Sequence, residues 1–138
     1  MILLDTNVLS ELTKPRPAPQ VVDWLAENEP RLSLPTIVLA ELRYGIERLP
    51  EGRRRLSLLR FWEETRRRFA GRTFAFDVPA AERYGFAVAA AERAGRSVRV
   101  GDGQIAAIAL AQRMAVATRD VEEFRPTGVR LINPWDVR

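Results

Sequence analysis

Five short strand-like runs, at residues 2–4, 31–34, 73–76, 115–117 and 129–132, are separated by longer stretches whose apolar residues recur every three to four positions. Runs of three or four residues suit strands, whereas the intervening period near 3.6 is that of amphipathic helices. Strands joined through helices pair in parallel, because a crossover rather than a hairpin connects them. The sequence therefore predicts an α/β fold: a mostly parallel central sheet of four to five strands between two helical layers, in one three-layer domain over residues 1–138.

Proline and glycine punctuate this pattern. Residues 14–20, KPRPAPQ, contain three prolines and read as a loop, after which VVDWLAENE resumes a helical pattern. Pro35 is expected to open a helix carrying Val38, Leu39, Leu42 and Ile46 on one side, with Glu41 among them. A basic helix is expected from about residue 52 to 69, and an Ala-rich helix from Pro79 to just before Gly95. The GDG at 101–103 is expected to precede a further helix, IAAIALAQR.

The chain has no histidine and no cysteine. This excludes Ser-His-Asp and Cys-His catalysis, thiolate or imidazole zinc sites, disulfide frameworks and paired-histidine ribonuclease chemistry. Catalysis must run on carboxylates, hydroxyls, arginine or a borrowed metal. The run Met1-Ile2-Leu3-Leu4 has no basic leader and is cut short by Asp5, and no stretch reaches membrane-spanning length, so the expectation is a cytoplasmic protein without membrane contact. Basic residues outnumber acidic ones 22 to 18, for a net charge of +4, which favours a polyanionic partner. Lys14 is the only lysine, so the bias is arginine, a preference that base composition or a hot habitat also produces.

Four acids stand in unusual contexts. Asp5 closes the first apolar run, and Asp120 follows Ala115-Val116-Ala117-Thr118 in the same relation to another. Such positions are where open α/β sheets bind ligands, and equally where a helix N-cap is needed. Glu41 is flanked by apolar residues and falls beside Val38 in helical phase, at the buried stripe or on its solvated edge. Asp102 lies between two glycines at the start of a helix, where capping alone accounts for it. In combination they point elsewhere: three of the four sit at expected strand-to-helix junctions, and the fourth is on a helix able to cover the same sheet edge. Like charges so gathered repel unless a cation joins them. Oxygen-only ligands select hard cations, Mg²⁺ or Mn²⁺, and such a site suits phosphodiester hydrolysis by an activated water.

Rival motifs fail on particulars. Gly101-Asp102-Gly103-Gln104-Ile105-Ala106 matches the dinucleotide fingerprint in form but puts a carboxylate where a pyrophosphate must approach. No phosphate-binding GxxxxGK[ST] loop exists. A phosphatase with an aspartyl nucleophile after its first strand needs a second acid two residues on, where this chain has Asn7.

The segments LLDTNVLSEL, IVLAELRYGI, VGDGQIAAIALAQ, VATRD and INPWD, in that order, resemble the PIN-domain ribonucleases, specifically the VapC/FitB-like toxins of bacterial type II toxin–antitoxin pairs. The resemblance implies a PIN-like α/β/α domain in which Asp5, Glu41, Asp102 and Asp120 are the catalytic acids and Mg²⁺/Mn²⁺ ligands. It implies that Asn7 and Thr118 orient these groups; a helix cap and a strand-end hydrogen bond are their structural alternatives. Many relatives place an acid three residues beyond the position of Asp120, so Glu123 competes with Asp120 as the fourth acid. The resemblance further implies a homodimer, a small DNA-binding antitoxin that inserts a tail into the acidic groove, and an RNA substrate such as tRNA.

Arg53, Arg54, Arg55, Arg66, Arg67 and Arg68 are candidates for phosphate or antitoxin contact. Glu63 and Glu64, four residues before Arg67 and Arg68, are placed to neutralise part of the cluster. Leu58, Leu59, Phe61, Trp62 and Phe69 read as core or dimer surface. Two functions follow: a metal-dependent endoribonuclease toxin, or a non-catalytic corepressor that binds its antitoxin on DNA.

Overall fold

The computed structural model describes residues 1–136. Its elements run β1 (Ile2–Leu4), α1 (Thr6–Glu11), α2 (Pro19–Asn28), β2 (Leu32–Pro35), α3 (Thr36–Glu47), α4 (Arg53–Arg68), β3 (Thr73–Phe74), α5 (Val78–Arg93), α6 (Val100–Gln112), β4 (Ala115–Ala117), α7 (Val121–Phe124) and β5 (Leu131–Ile132). The five strands form one sheet in the order β3-β2-β1-β4-β5, with every pairing parallel. Successive side chains of a strand face opposite sides, so complete burial of Ile2, Leu3 and Leu4 means that both faces of β1 are covered. Ala115, Val116 and Ala117 of β4 are buried in the same way, as the three-layer expectation requires.

Several boundaries shift for local reasons. Pro19 and Gln20 belong to α2 rather than the preceding loop, because proline is preorganised for the first helical turn. The loop itself is tied by Glu11, whose carboxylate accepts from Ala18 N (2.8 Å) and pairs with Lys14 (2.8 Å). Pro35 ends β2 and caps α3 instead of opening it. The edge strands β3 and β5 are two residues each, shorter than the expected 73–76 and 129–132. Helix α6 begins at Val100, so the GDG lies inside its first turn rather than ahead of it.

Gly103 is needed where α5 and α6 meet. A Cβ there would fall 2.8 Å from the Tyr84 ring and 3.2 Å from Val88, so the two helices pack only with hydrogen at that position. No helix among the described residues is long and apolar enough to cross a membrane.

Candidate active site

Strands β1 and β4 are neighbours at the point where the sheet order reverses. Connections leave such a point in opposite directions and open a crevice at the carboxyl ends of the strands. Asp5 is the first residue beyond β1 and Thr118 the first beyond β4, and Asp5 N donates to Ala117 O at 2.9 Å.

The Asp5 side chain is buried, at 5% exposure. Its Oδ1 accepts from Thr6 N (2.8 Å), and its Oδ2 from Thr118 Oγ1 (2.7 Å) and Asn7 Nδ2 (3.3 Å). Among the described residues no lysine or arginine pairs with it. Burial pushes its pKa up to about 6; the hydrogen bonds from Thr118 and Thr6 oppose the shift, while the charges of Asp102 and Glu41 add to it.

This raised pKa predicts a pH effect of definite sign. A carboxyl that holds its proton more tightly when folded than when unfolded stabilises the fold below its unfolded pKa of 3.8, and that contribution is lost as pH rises through about 6. Roughly two units correspond to about 3 kcal/mol. In EDTA, the stability of wild type relative to Asp5→Asn, measured by urea unfolding, is therefore expected to fall between pH 4 and pH 7. A pH-independent difference refutes the burial cost.

Asn7 and Thr118 join the two strand ends. Thr118 Oγ1 donates to Asp5 and accepts from Asp120 N at 2.9 Å. Asn7 Nδ2 lies 3.1 Å from Asp120 Oδ2 and 3.3 Å from Thr118 Oγ1. Asn7 Oδ1 accepts from Arg119 N at 3.2 Å, which determines which end of the amide faces the acids. The positions expected to orient the carboxylates are thus in direct contact with two of them.

Glu41 sits on α3 and is exposed, on the solvated edge rather than in the buried stripe. It reaches the site nonetheless: Oε2 accepts from Thr6 Oγ1 at 3.1 Å, and Oε1 lies 3.3 Å from where a Cβ on residue 101 would be. Asp102 is the third residue of α6 and half-buried. Burial raises its pKa, Arg99 opposes the rise, and Glu41, Asp120 and Glu123 reinforce it. Asp120 and Glu123 are both exposed, the first at the N-cap position of α7 without a side-chain bond to the helix amides and the second within the helix. Asp120 acts more strongly on Asp102 and alone of the two is bonded to Asn7.

One expectation needs correcting. Asp102 is not at a strand-to-helix junction, since residues 94–99 connect α5 to α6; only Asp5 and Asp120 follow strands. Asp102 arrives because the N-terminus of α6 abuts Glu41 of α3.

A buried carboxylate satisfied only by neutral donors and facing further acids fits a cation, and an oxygen-only donor set fits a hard one. Among the described residues no three carboxylates are spaced to hold one ion together, so such binding requires side-chain movement. Two cavities flank Glu41. One, of about 320 Å³, lies between α1, α3 and α4 and is lined by Thr6, Leu42, Ile46, Arg54, Leu58 and Phe61, among others. The other, of about 430 Å³, is lined by Ile37, Ala40, Glu41, Arg99, Asp102 and Gln104 with Gly101.

Residues 2–128 match the family model described as PIN domain. The chain belongs to the PIN-domain family. Among relatives of this PIN domain, the plasmid stability protein StbB of Pseudomonas syringae pv. tomato is 44% identical over 138 residues, with 99% of each chain covered. The VapC ribonuclease Y4jK of Sinorhizobium fredii is 41% identical, again with 99% of each covered. Toxin FitB of Neisseria gonorrhoeae is 39% identical, covering 98% of this chain and 99% of its own. In three dimensions the PIN domain superposes on a chain from the structure of FitAB bound to IR36 DNA with a TM-score of 0.94 and 38% identity, covering 100% of this chain and 98% of the other.

Two side chains at the candidate site were not singled out from sequence. Thr6 was legible in the Asp-Thr-Asn run that follows β1. Arg99 had no signal of its own, because the loop that brings it to Asp102 carries no regular pattern.

The basic helix α4 is largely engaged with the protein itself. Arg66 and Arg67 pair with Glu63, Arg68 with Glu29 and Arg55 with Glu47, while Arg54 donates to Thr13 O. Arg68 thus takes a partner from α2's end rather than the expected Glu64. Phe69 is in the core, and Trp62 donates to Leu39 O at 2.9 Å with Arg43 over its ring.

Proposed function

We propose that the chain is a metal-dependent endoribonuclease toxin, acting through Asp5, Glu41, Asp102 and Asp120 and held silent by a cognate antitoxin. One observation carries the reading: the buried Asp5 at the sheet's switch point, paired with no cation among the described residues and facing Glu41 and Asp102. The relative named a VapC ribonuclease supports it.

Asp5, Glu41, Asp102 and Asp120 would hold Mg²⁺ or Mn²⁺. When bound, such an ion supplies positive charge against the phosphoryl oxygens and makes water acidic enough to attack near neutral pH. Thr118 and Asn7 orient Asp5 and Asp120 by the hydrogen bonds described, and Thr6 steadies Glu41. Glu123 stands outside this set and adds negative potential. No histidine is required, because the acids would hold a cation whose charge polarises the reactants.

The antitoxin reading rests on the likeness to FitAB bound to DNA. The apolar cavity beside Glu41, open toward Thr6, suits a short inserted segment with an apolar face and a cation for the acids. The toxin would act in the cytoplasm on RNA, tRNA included, as a homodimer of one PIN-like domain spanning residues 1–138.

Purified protein incubated with total RNA in Mn²⁺ or Mg²⁺ is expected to cut it, and EDTA to stop the reaction. Asp102→Ala is expected to slow cleavage roughly 100-fold or more, since charge stabilisation of several kcal/mol is lost at 1.36 kcal/mol per tenfold. RNA left intact by the metal-loaded wild type refutes the enzyme reading and leaves the non-catalytic corepressor.

A further inference from the structure

Arg99 is hard to explain as part of the fold. It occupies the N-cap of α6 without capping it: no side-chain bond reaches the helix amides, although its own carbonyl accepts from Gly103 N at 2.9 Å. Helix N-termini favour Ser, Thr, Asp or Asn there, and their partial positive charge disfavours a cation. The side chain is exposed and, among the described residues, pairs with no carboxylate. Yet it lines the same cavity as Glu41, Asp102 and Gln104, and its charge acts on Asp102.

Four of the seven arginines of α4 differ in this respect. Arg66 and Arg67 share Glu63, Arg55 pairs with Glu47 and Arg68 with Glu29, which offsets part of their charge. Arg53 and Arg60 pair with no carboxylate among the described residues, but neither lines the cavity beside Asp102. At the acidic centre Arg99, without a carboxylate partner among the described residues, lines the 430 Å³ cavity. A planar, permanently charged fork suits a phosphate, and the acids beside it hold it near their rim without consuming it in an ion pair.

We propose that Arg99 binds the phosphate next to the scissile one, so that the RNA strand reaches the acidic centre through the cavity between α3 and α6. The inference rests on the nuclease reading and adds the direction of approach and the residue that governs it. Arg99 is a substrate-binding group here, and the ligand is a phosphodiester backbone irrespective of base.

The test uses the intact protein in EDTA, where no cutting occurs, with a fluorescent single-stranded oligoribonucleotide followed by anisotropy over a series of KCl concentrations. One phosphate contact contributes a slope of about 0.7 in log Kd against log salt for a single strand. Arg99→Gln is expected to lower the wild-type slope by about that amount and weaken binding, while Arg99→Lys keeps most of the slope. Mn²⁺ binding by Arg99→Gln, titrated separately, is expected to stay as tight as wild type or become tighter, because a neighbouring cation is removed.

An unchanged slope in Arg99→Gln overturns the proposal, as does a slope lost equally in Arg99→Lys. A variant with normal salt dependence but altered Mn²⁺ affinity assigns Arg99 to steadying Asp102 and also overturns it. If wild type cuts RNA with metal but does not bind the oligonucleotide in EDTA, this proposal is overturned while the nuclease reading stands. If the metal-loaded wild type does not cut RNA, the nuclease reading fails and takes this one with it.

Discussion

Asp5→Asn is expected to reduce RNA cleavage by roughly 1,000-fold or more, with the fold intact. The substitution conserves volume, and an amide oxygen still accepts from Thr6 N. The amide nitrogen takes the place of Oδ2, so Thr118 must turn its hydroxyl from donating to accepting, and the Asn7 amide loses an acceptor. These are local adjustments around one neutral group. What disappears is the negative charge at the deepest point of the acidic cluster. If that charge anchors a cation, its loss removes several kcal/mol of transition-state stabilisation, and each 1.36 kcal/mol is tenfold in rate. Melting temperature and circular dichroism report the fold while cleavage of labelled RNA reports the rate. Cleavage by Asp5→Asn within tenfold of wild type removes Asp5 from the chemistry.

The largest expected loss of stability comes from Phe124→Ala. Phe124 is fully buried and among the bulkiest such side chains, joined to the same core as β1, β4 and α6. It ends α7, and its carbonyl accepts from Thr127 Oγ1 at 2.6 Å in the turn toward β5. Truncation opens a cavity between this segment and the sheet, at a cost of about 3–5 kcal/mol. The midpoint of thermal unfolding should fall by about 10–20 °C. Phe124→Leu, which refills most of the volume, should recover much of the loss. A drop of only about 2 °C in the alanine variant contradicts the burial. Because Asp120 and Glu123 sit immediately ahead of Phe124, the variant also asks whether packing beneath α7 holds those acids in place.

Much of the architecture was legible because it is written in local pattern. Leu3 and Leu4 next to Asp5, and Val116 and Ala117 next to Thr118, mark strands buried on both faces that end at polar residues. Helical spacing between such runs leaves parallel pairing as the solution, and all four pairings are parallel. Boundaries were less legible where propensity and hydrogen bonding compete. Pro35 has the fixed φ of a helix start but completes β2 against Phe74, because the sheet register prevails over the local preference. Edge strands shrank for the opposite reason: with a neighbour on one side only, fewer residues of 73–76 and 129–132 are held in the ladder.

The candidate site divides along the same line. The amino-acid sequence by itself determined the residue types available, a chain without histidine or cysteine and with acids just past two buried strands, and hence that any chemistry here runs on carboxylates, hydroxyls, arginine or a borrowed metal. It also gave the helix-surface pairing of Glu63 with Arg67, which needs only the spacing of one helix, whereas Glu63 also takes Arg66 and Arg68 turns to Glu29 instead of Glu64. Tertiary structure alone decided that Asp5 is buried with no cation paired to it among the described residues, that Glu41 is exposed yet bonded to Thr6, and that Asp102 comes to the site on the first turn of α6. It alone brought Arg99 to the rim. The physical reason is range: periodicity and propensity act over a few residues, whereas Thr6 and Glu41, or Asp5 and Thr118, meet only when the order of strands in the sheet closes distances of 35 and 113 residues along the chain.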